Sequence, residues 1–222
     1  MSLNLWIFAI CSLLLGAVAL ATSLNPRFPG DNQGYEPLQP LEFSHRLHAG
    51  EMGMECQYCH FGARRSRHAG VPPTSVCMNC HSTVRAGLDV VLAERELALT
   101  EDREPAVSLS PELSKLYASL ALDSEGDPIP GLEPRPIEWV RVHNLPDFVY
   151  FDHRPHVASK IACETCHGPV QSMERMRQFA PLTMGWCIEC HRDQPARLDT
   201  GLNLPEGHLE EHATTDCVSC HL

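Results

Sequence analysis

Apolar positions are unevenly spread along the chain. Leu5 to Ala21 reads LWIFAICSLLLGAVALA, and no charged residue appears before Arg27. A run of about 17 to 20 apolar residues is near the minimum for a bilayer-spanning helix. Residues 1–24 are therefore expected to be an N-terminal transmembrane anchor, with Cys11 a small apolar residue facing lipid. The competing reading is a cleavable export signal, since Ala17-Val18-Ala19 and Ala19-Leu20-Ala21 resemble cleavage sites. Against it, no Lys or Arg supplies a basic n-region. Both readings export everything beyond Asn25. The anchor reading makes the chain a single-pass protein of the cytoplasmic membrane with its bulk on the periplasmic face.

Past the anchor, regular patterning is sparse. Residues 84–100 and 111–121 read as helices, the second opened by Ser110 and Pro111. Trp139-Val140-Arg141-Val142-His143 alternates as a strand does, while Asp123–Pro136 is a loop. With 18 prolines, 14 glycines and 6% aromatics, side chains alone build only a modest core. Something else is expected to fill the interior.

Cysteine supplies the candidate. Eleven cysteines are an odd number for a disulfide framework. Setting Cys11 aside, the rest form five pairs, Cys56/Cys59, Cys77/Cys80, Cys163/Cys166, Cys187/Cys190 and Cys217/Cys220. Each pair is followed at once by a histidine: His60, His81, His167, His191 and His221. C-x-x-C-H is the attachment signature of c-type haem. Two thiols on one helical turn reach the two vinyl groups of a porphyrin, and the adjacent imidazole points at the iron. The gaps of 17 residues between Cys59 and Cys77 and 20 between Cys166 and Cys187 also fit a structural zinc site. A zinc ribbon, however, needs no histidine after each pair. With 13 histidines in 222 residues, chance would place one after all five pairs only about once in a million. Five covalently bound haem c groups and no disulfide are expected.

Five irons need ten axial ligands, and the motifs give five. Phe43-Ser44-His45-Arg46-Leu47-His48 and Phe151-Asp152-His153-Arg154-Pro155-His156 share the pattern F-x-H-R-x-H. Each precedes a C-x-x-C-H by seven or eight residues, and a second motif follows. This is an internal repeat of about 40 residues. Histidines at i and i+3 can turn to two different irons, so His45, His48, His153 and His156 are expected distal ligands, with His143 the fifth. His68, His208 and His212 stand in reserve. Met184 and Met173 are alternative distal ligands; the competing reading for each is core filling.

Charge adds less. There are 28 acids against 17 bases, a balance that excludes a general nucleic-acid binder. The bases are almost all arginine, which pairs bidentately with carboxylates. Arg64, Arg65 and Arg67 suit haem propionates, though a surface cluster explains them equally. The acidic run from Glu94 to Glu104 reads as a solvated face, or else as a docking patch for a basic partner. The sequence contains no nucleotide-binding glycine motif, nucleophile elbow or catalytic carboxylate pair.

With these residues laid out, the chain resembles the membrane-anchored pentahaem cytochrome subunit of alternative complex III, a quinol-oxidising complex. The likeness rests on the five motifs and on Trp139–Asp147 running into Phe151-Asp152-His153. Ala69-Gly70-Val71-Pro72 before Cys77 and Leu182–Cys187 add to it. Leu222 stands where that family would have an aromatic residue. The cytochrome subunit of periplasmic quinone-reductase complexes shares the same motifs. The fold expected is mostly α and irregular, built of class III/c7-like di-haem modules around a haem-filled core. Its parts are the anchor (1–24), a linker (25–42), a first di-haem module (43–84), a helical and loop insertion (85–136), a second module (137–192) and a C-terminal haem segment (193–222). The resemblance implies an electron-transfer subunit, not an enzyme on its own. It would relay electrons from an iron–sulfur/molybdopterin-like subunit, beside integral membrane quinol-oxidising subunits, to a mono-haem cytochrome c, a blue-copper protein or an oxidase. A multihaem reductase is the contrasting reading, but it needs an iron with an open position. A wire feeding a photosynthetic reaction centre is a further one.

Overall fold

The computed structural model describes residues 3–23, 31–193 and 213–221, with the side chains of the first stretch described for residues 6–20. His208, His212 and Leu222 lie outside the described residues. The first stretch is one helix, α1 (Leu3–Ser23), whose Phe8, Leu13 and Leu15 side chains are exposed. Among the described residues, no helix is long and apolar enough to cross a membrane.

Elsewhere the chain folds into short helical pieces joined by irregular backbone. In order they are a π-helical turn (Arg46–Glu51), α2 (Cys56–Cys59), a 3-10 turn (Phe61–Arg64), α3 (Thr74–His81), α4 (Leu88–Thr100) and α5 (Pro111–Ser119). Then come α6 (His153–Ala158), α7 (Glu164–His167), a 3-10 turn (Val170–Ser172), α8 (Met184–Asp193) and α9 (Cys217–Cys220). The described residues contain no strand, only the isolated bridges Leu122–Pro128 and Val149–His221. The strand expected over 139–143 does not form. Its physical substitute is a side chain: Gln39 accepts from the Val140 N–H at 2.9 Å and donates to its carbonyl at 3.0 Å, taking the place of a neighbouring strand.

The two helices between the modules form with one adjustment. α4 begins at Leu88 rather than residue 84, because Gly87 is extended at ψ 151°. Ahead of it, the Arg85 guanidinium is drawn away to the carbonyls of Ser82, Ser124 and Glu125. α5 starts as its sequence dictates, with Ser110 Oγ accepting from the Leu113 N–H and Pro111 in the first turn. It buries Leu116 and Tyr117, and the Tyr117 hydroxyl donates to the His81 carbonyl at 2.6 Å. The insertion is thereby fastened to the second C-x-x-C-H turn.

The side-chain core is small. Among the described residues the buried apolar side chains are Ala63, Ala98, Leu116, Tyr117, Ala121, Val142, Met173 and Ala180. The one polar residue buried with them is Gln178, whose backbone pairs with Gly34 and Tyr35 and whose amide accepts from the Asn144 N–H. The two modules are packed crosswise. The π turn of the first lies on the Val170–Ser172 turn of the second, and α6 of the second lies on the Phe61–Arg64 turn of the first. Gly50 permits the first contact: a Cβ there would stand 2.2 Å from the Gln171 carbonyl oxygen.

Candidate functional site

All five C-x-x-C-H motifs sit on helical turns. Two lie within longer helices, α3 and α8, and three make up single turns, at Cys56–Cys59, Glu164–His167 and Cys217–Cys220. Each turn brings its two thiols to one side with the histidine at its end. Among the described residues, no three His, Cys, Asp or Glu side chains converge on one point, whereas a zinc ribbon places four thiolates around one metal. Burial pushes several thiols up, Cys166 to about 11 with help from Cys190, Cys187 and Cys163, so they are protonated at neutral pH.

The thiols also show which turns are neighbours. Cys56 is hydrogen-bonded to Cys163, and Cys77 feels Cys59. Cys166 feels Cys187 and Cys190, and Cys187 feels Cys220. Direct bonds agree: Asn79 donates to the Tyr58 hydroxyl at 2.9 Å, and His191 Nδ1 meets the Thr214 carbonyl at 2.6 Å. The five turns therefore form one line in the order second, first, third, fourth, fifth. The crossing of the modules puts the first and third turns together, which the sequence order does not suggest.

Two of the ten motif thiols depart from the enclosed interior that the sequence predicts. Cys80 and Cys217 are exposed, whereas the other eight are half-buried. Position in the line is the reason. Cys80 belongs to the second turn and Cys217 to the fifth, the two ends, so each has a neighbouring turn on one side only. Cys80 keeps its place in α3, three residues after Cys77, and its carbonyl accepts from the N–H groups of Thr83 and Val84 and from Thr83 Oγ1. Its backbone is therefore fixed although its thiol lies open to solvent.

Two imidazoles on opposite faces of one haem iron, each bonded at about 2.0 Å, hold their ring centroids about 6.3 Å apart. Three pairs have this spacing. His48 and His81 are 6.1 Å apart, His156 and His191 5.9 Å, and His153 and His167 6.5 Å. In each the partners are a histidine of an F-x-H-R-x-H segment and the histidine of a C-x-x-C-H turn. The Nδ1 atoms of five of these six point at backbone carbonyls, those of Ser44, Val84, Arg67, Asp152 and Thr214. That bond fixes the ring and frees Nε2 for a metal. His60 has the same arrangement, at 2.6 Å from the Gly70 carbonyl. Burial holds His45 and His143 down at about 4, and burial with the neighbouring imidazoles takes His167 to about 3. They are neutral at pH 7, the form that binds iron.

The remaining candidates are placed differently. His45 is half-buried and close enough to His60 to feel its charge, and its buried Nδ1 has no hydrogen-bond partner. His143 contacts His167 edge-on, with centroids 4.4 Å apart. His221 stacks on Phe148 at 5.7 Å. His68 belongs to none of these ring pairs; its backbone N–H donates to Ser66 Oγ. Met173 is buried and its carbonyl accepts from the Arg46 N–H, so it fills the core, whereas Met184 is 65% exposed at the start of α8. Arg67 lies over the Tyr150 ring, and its Nε is buried without a partner, while Arg64 bonds to Gln57. Glu94 of the acidic run is paired with Arg103 at 2.6 Å.

These residues fit haem. The imidazole pairs have the required spacing, buried Arg67 Nε and His45 Nδ1 lack partners, and Tyr58, Phe61, Met184 and Val218 beside the turns are all exposed. A porphyrin would cover such apolar surface. The sequence reading missed the role of the two phenylalanines. Phe43 packs against His45 at 4.9 Å and His48 at 4.4 Å, and Phe151 against His153 at 4.9 Å and His156 at 4.7 Å. Their recurrence in the F-x-H-R-x-H repeat was the available signal.

Residues 149–222 match the family model for cytochrome c7 and related cytochrome c. That stretch is thus similar to a c7-like multihaem cytochrome domain. The chain is similar to the menaquinone reductase multihaem cytochrome c subunit of Nitratidesulfovibrio vulgaris, with 27% identity over 155 residues. The match covers 70% of this chain and 52% of the relative, so the chain spans about half of that protein's length. Residues 43–84 lie before the family match and share the F-x-H-R-x-H pattern with residues 151–156.

Proposed function

We infer that this cytochrome is a pentahaem electron-transfer subunit of a membrane complex that exchanges electrons with quinone. The observation carrying the reading is the continuous line of five attachment turns, three of them already paired with a second imidazole. Haem iron, when bound, supplies one-electron transfer. The chain's own residues do the rest. Ten thiols would tether the groups, the paired histidines would saturate three of the irons, and the phenylalanines would hold the distal rings against rotation. Three irons with no position open to a substrate favour a relay over a reductase.

In the finer form of this reading, the chain is the cytochrome of an alternative complex III, held at the cytoplasmic membrane with its haem segments on the periplasmic side. It would accept electrons from an iron–sulfur subunit and pass them to a mono-haem cytochrome c, a blue-copper protein or an oxidase. The similarity to a menaquinone reductase subunit favours a second form, in which flow runs toward quinone. Adding quinol to the anaerobic intact membrane complex separates them. Rapid reduction of the haem α-band supports the quinol-oxidising form. Prereduced haems that resist quinol but are oxidised by added quinone support the second. A chain that purifies alone and responds to neither sinks both.

A further inference from the structure

We propose that His143 is a positioning residue that accepts a hydrogen bond from His167, rather than an iron ligand. The inference rests on the reading of His167 as an axial ligand. Six other histidines have Nδ1 held 2.6–2.9 Å from a backbone carbonyl oxygen: His48, His60, His81, His153, His156 and His191. His167 is the exception. Its Nδ1 meets the Nε2 of His143 at 3.1 Å, and the two rings stand at 75° with centroids 4.4 Å apart.

That separation is too short for an iron between the rings, since the three pairs with ligand spacing lie at 5.9–6.5 Å. His167 already has an imidazole at ligand spacing, His153, whose ring is parallel to its own to within 10° at 6.5 Å. Valence points the same way. The lone pair of His143 Nε2 is taken by the His167 N–H, so that nitrogen cannot also bind a metal. The backbone holds His143 in place from both sides. Its carbonyl accepts from Arg141 Nε at 2.8 Å, and the next N–H, of Asn144, donates to the buried amide of Gln178. Val142 before it is buried. An acceptor on Nδ1–H makes an axial imidazole more basic and favours ferric iron. His143 thus does at the third site what a carbonyl does at the first, second and fourth.

The test compares His143→Leu with His143→Gln in the haem-loaded chain, by haem count, EPR and redox titration. A haemochrome assay comes first, since absence of haem would show that the underlying reading has failed rather than this one. Loss of a hydrogen bond of ordinary strength changes an equilibrium about tenfold, which is about 59 mV for a one-electron couple. In His143→Leu every haem stays low-spin and one potential rises by about that amount; in His143→Gln, whose amide oxygen can accept, it returns toward the wild-type value. A new high-spin signal in either variant overturns the proposal by making His143 a ligand. Unmoved potentials in the Leu variant, or equal shifts in both, overturn it as well. If the Leu variant fails to load, the Gln variant decides alone: low-spin haems with near wild-type potentials support the proposal, and a high-spin haem refutes it.

Discussion

The sharpest structural consequence of the c7-like arrangement concerns the residue that follows the third motif. Gly168 has φ 71° and ψ −163°, a region that only glycine occupies comfortably. A Cβ at this position would also lie 2.2 Å from Phe179 Cγ and 2.6 Å from its Cβ. Those atoms sit at the base of the phenylalanine, so a rotamer change cannot clear them. Gly168→Ala thus combines a dihedral cost of about 1–3 kcal/mol with an overpacking cost of similar size, roughly 3–4 kcal/mol together. For a chain of this length that is a fall of about 6–15 °C in the thermal midpoint of the haem-loaded protein. Two companions separate the contributions. Gly185→Ala meets nothing within 4 Å in the first turn of α8 and should cost nothing. Adding Phe179→Ala to Gly168→Ala should remove the overlap while leaving the dihedral cost, a partial recovery. Circular dichroism melts of the four proteins decide it. A Gly168→Ala midpoint within about 2 °C of wild type would refute the reasoning.

Three further outcomes follow from the same geometry. His48→Ala and His156→Ala each remove one partner of a ring pair near 6 Å, so each should convert one haem to high-spin and the double variant two; EPR counts them, and an unchanged low-spin spectrum contradicts the pairing. His45 and His143 are held at about 4 by burial against an ordinary 6.5, so the unfolded chain binds more protons than the folded one between those values. Stability should be flat above pH 7 and fall as pH drops from about 6.5 toward 4, by up to about 3 kcal/mol per histidine; a denaturant midpoint constant from pH 7 to 4 contradicts this. Gly50→Val should separate the π turn from the Val170–Ser172 turn, disturbing the crossing of the modules and lowering haem incorporation in both. Loss confined to one module would show that the crossing is not needed for loading.

The attachment chemistry was legible in the sequence because it is local: thiols and histidine lie within one helical turn, so spacing alone fixes their geometry. The repeat singles out four histidines, and three of them, His48, His153 and His156, have their rings 5.9–6.5 Å from those of motif histidines. The spatial order of the sites was not legible. It depends on Gly50 and on the exchange of turns between modules, contacts between segments far apart in the chain. The exposure of Cys80 and Cys217 was hidden with it, since it follows from which turns end the line. The alternation at 139–143 misled for a related reason, since Gln39, far away in the chain, satisfies Val140 in place of a strand. His143 counts as a ligand by arithmetic, and its 4.4 Å approach to His167 is the observation behind the hydrogen-bonding role proposed for it. The low aromatic content and small core have one cause, an interior that side chains do not fill.

The central claim is that all five turns carry haem. Intact-mass measurement of the purified chain, with peptide mapping of the attachment sites, tests it most directly. The account predicts five covalent haem additions, one on each pair from Cys56/Cys59 to Cys217/Cys220, the exposed Cys80 included. A chain carrying fewer, or one whose cysteines are recovered as disulfides or bound to zinc, would contradict it.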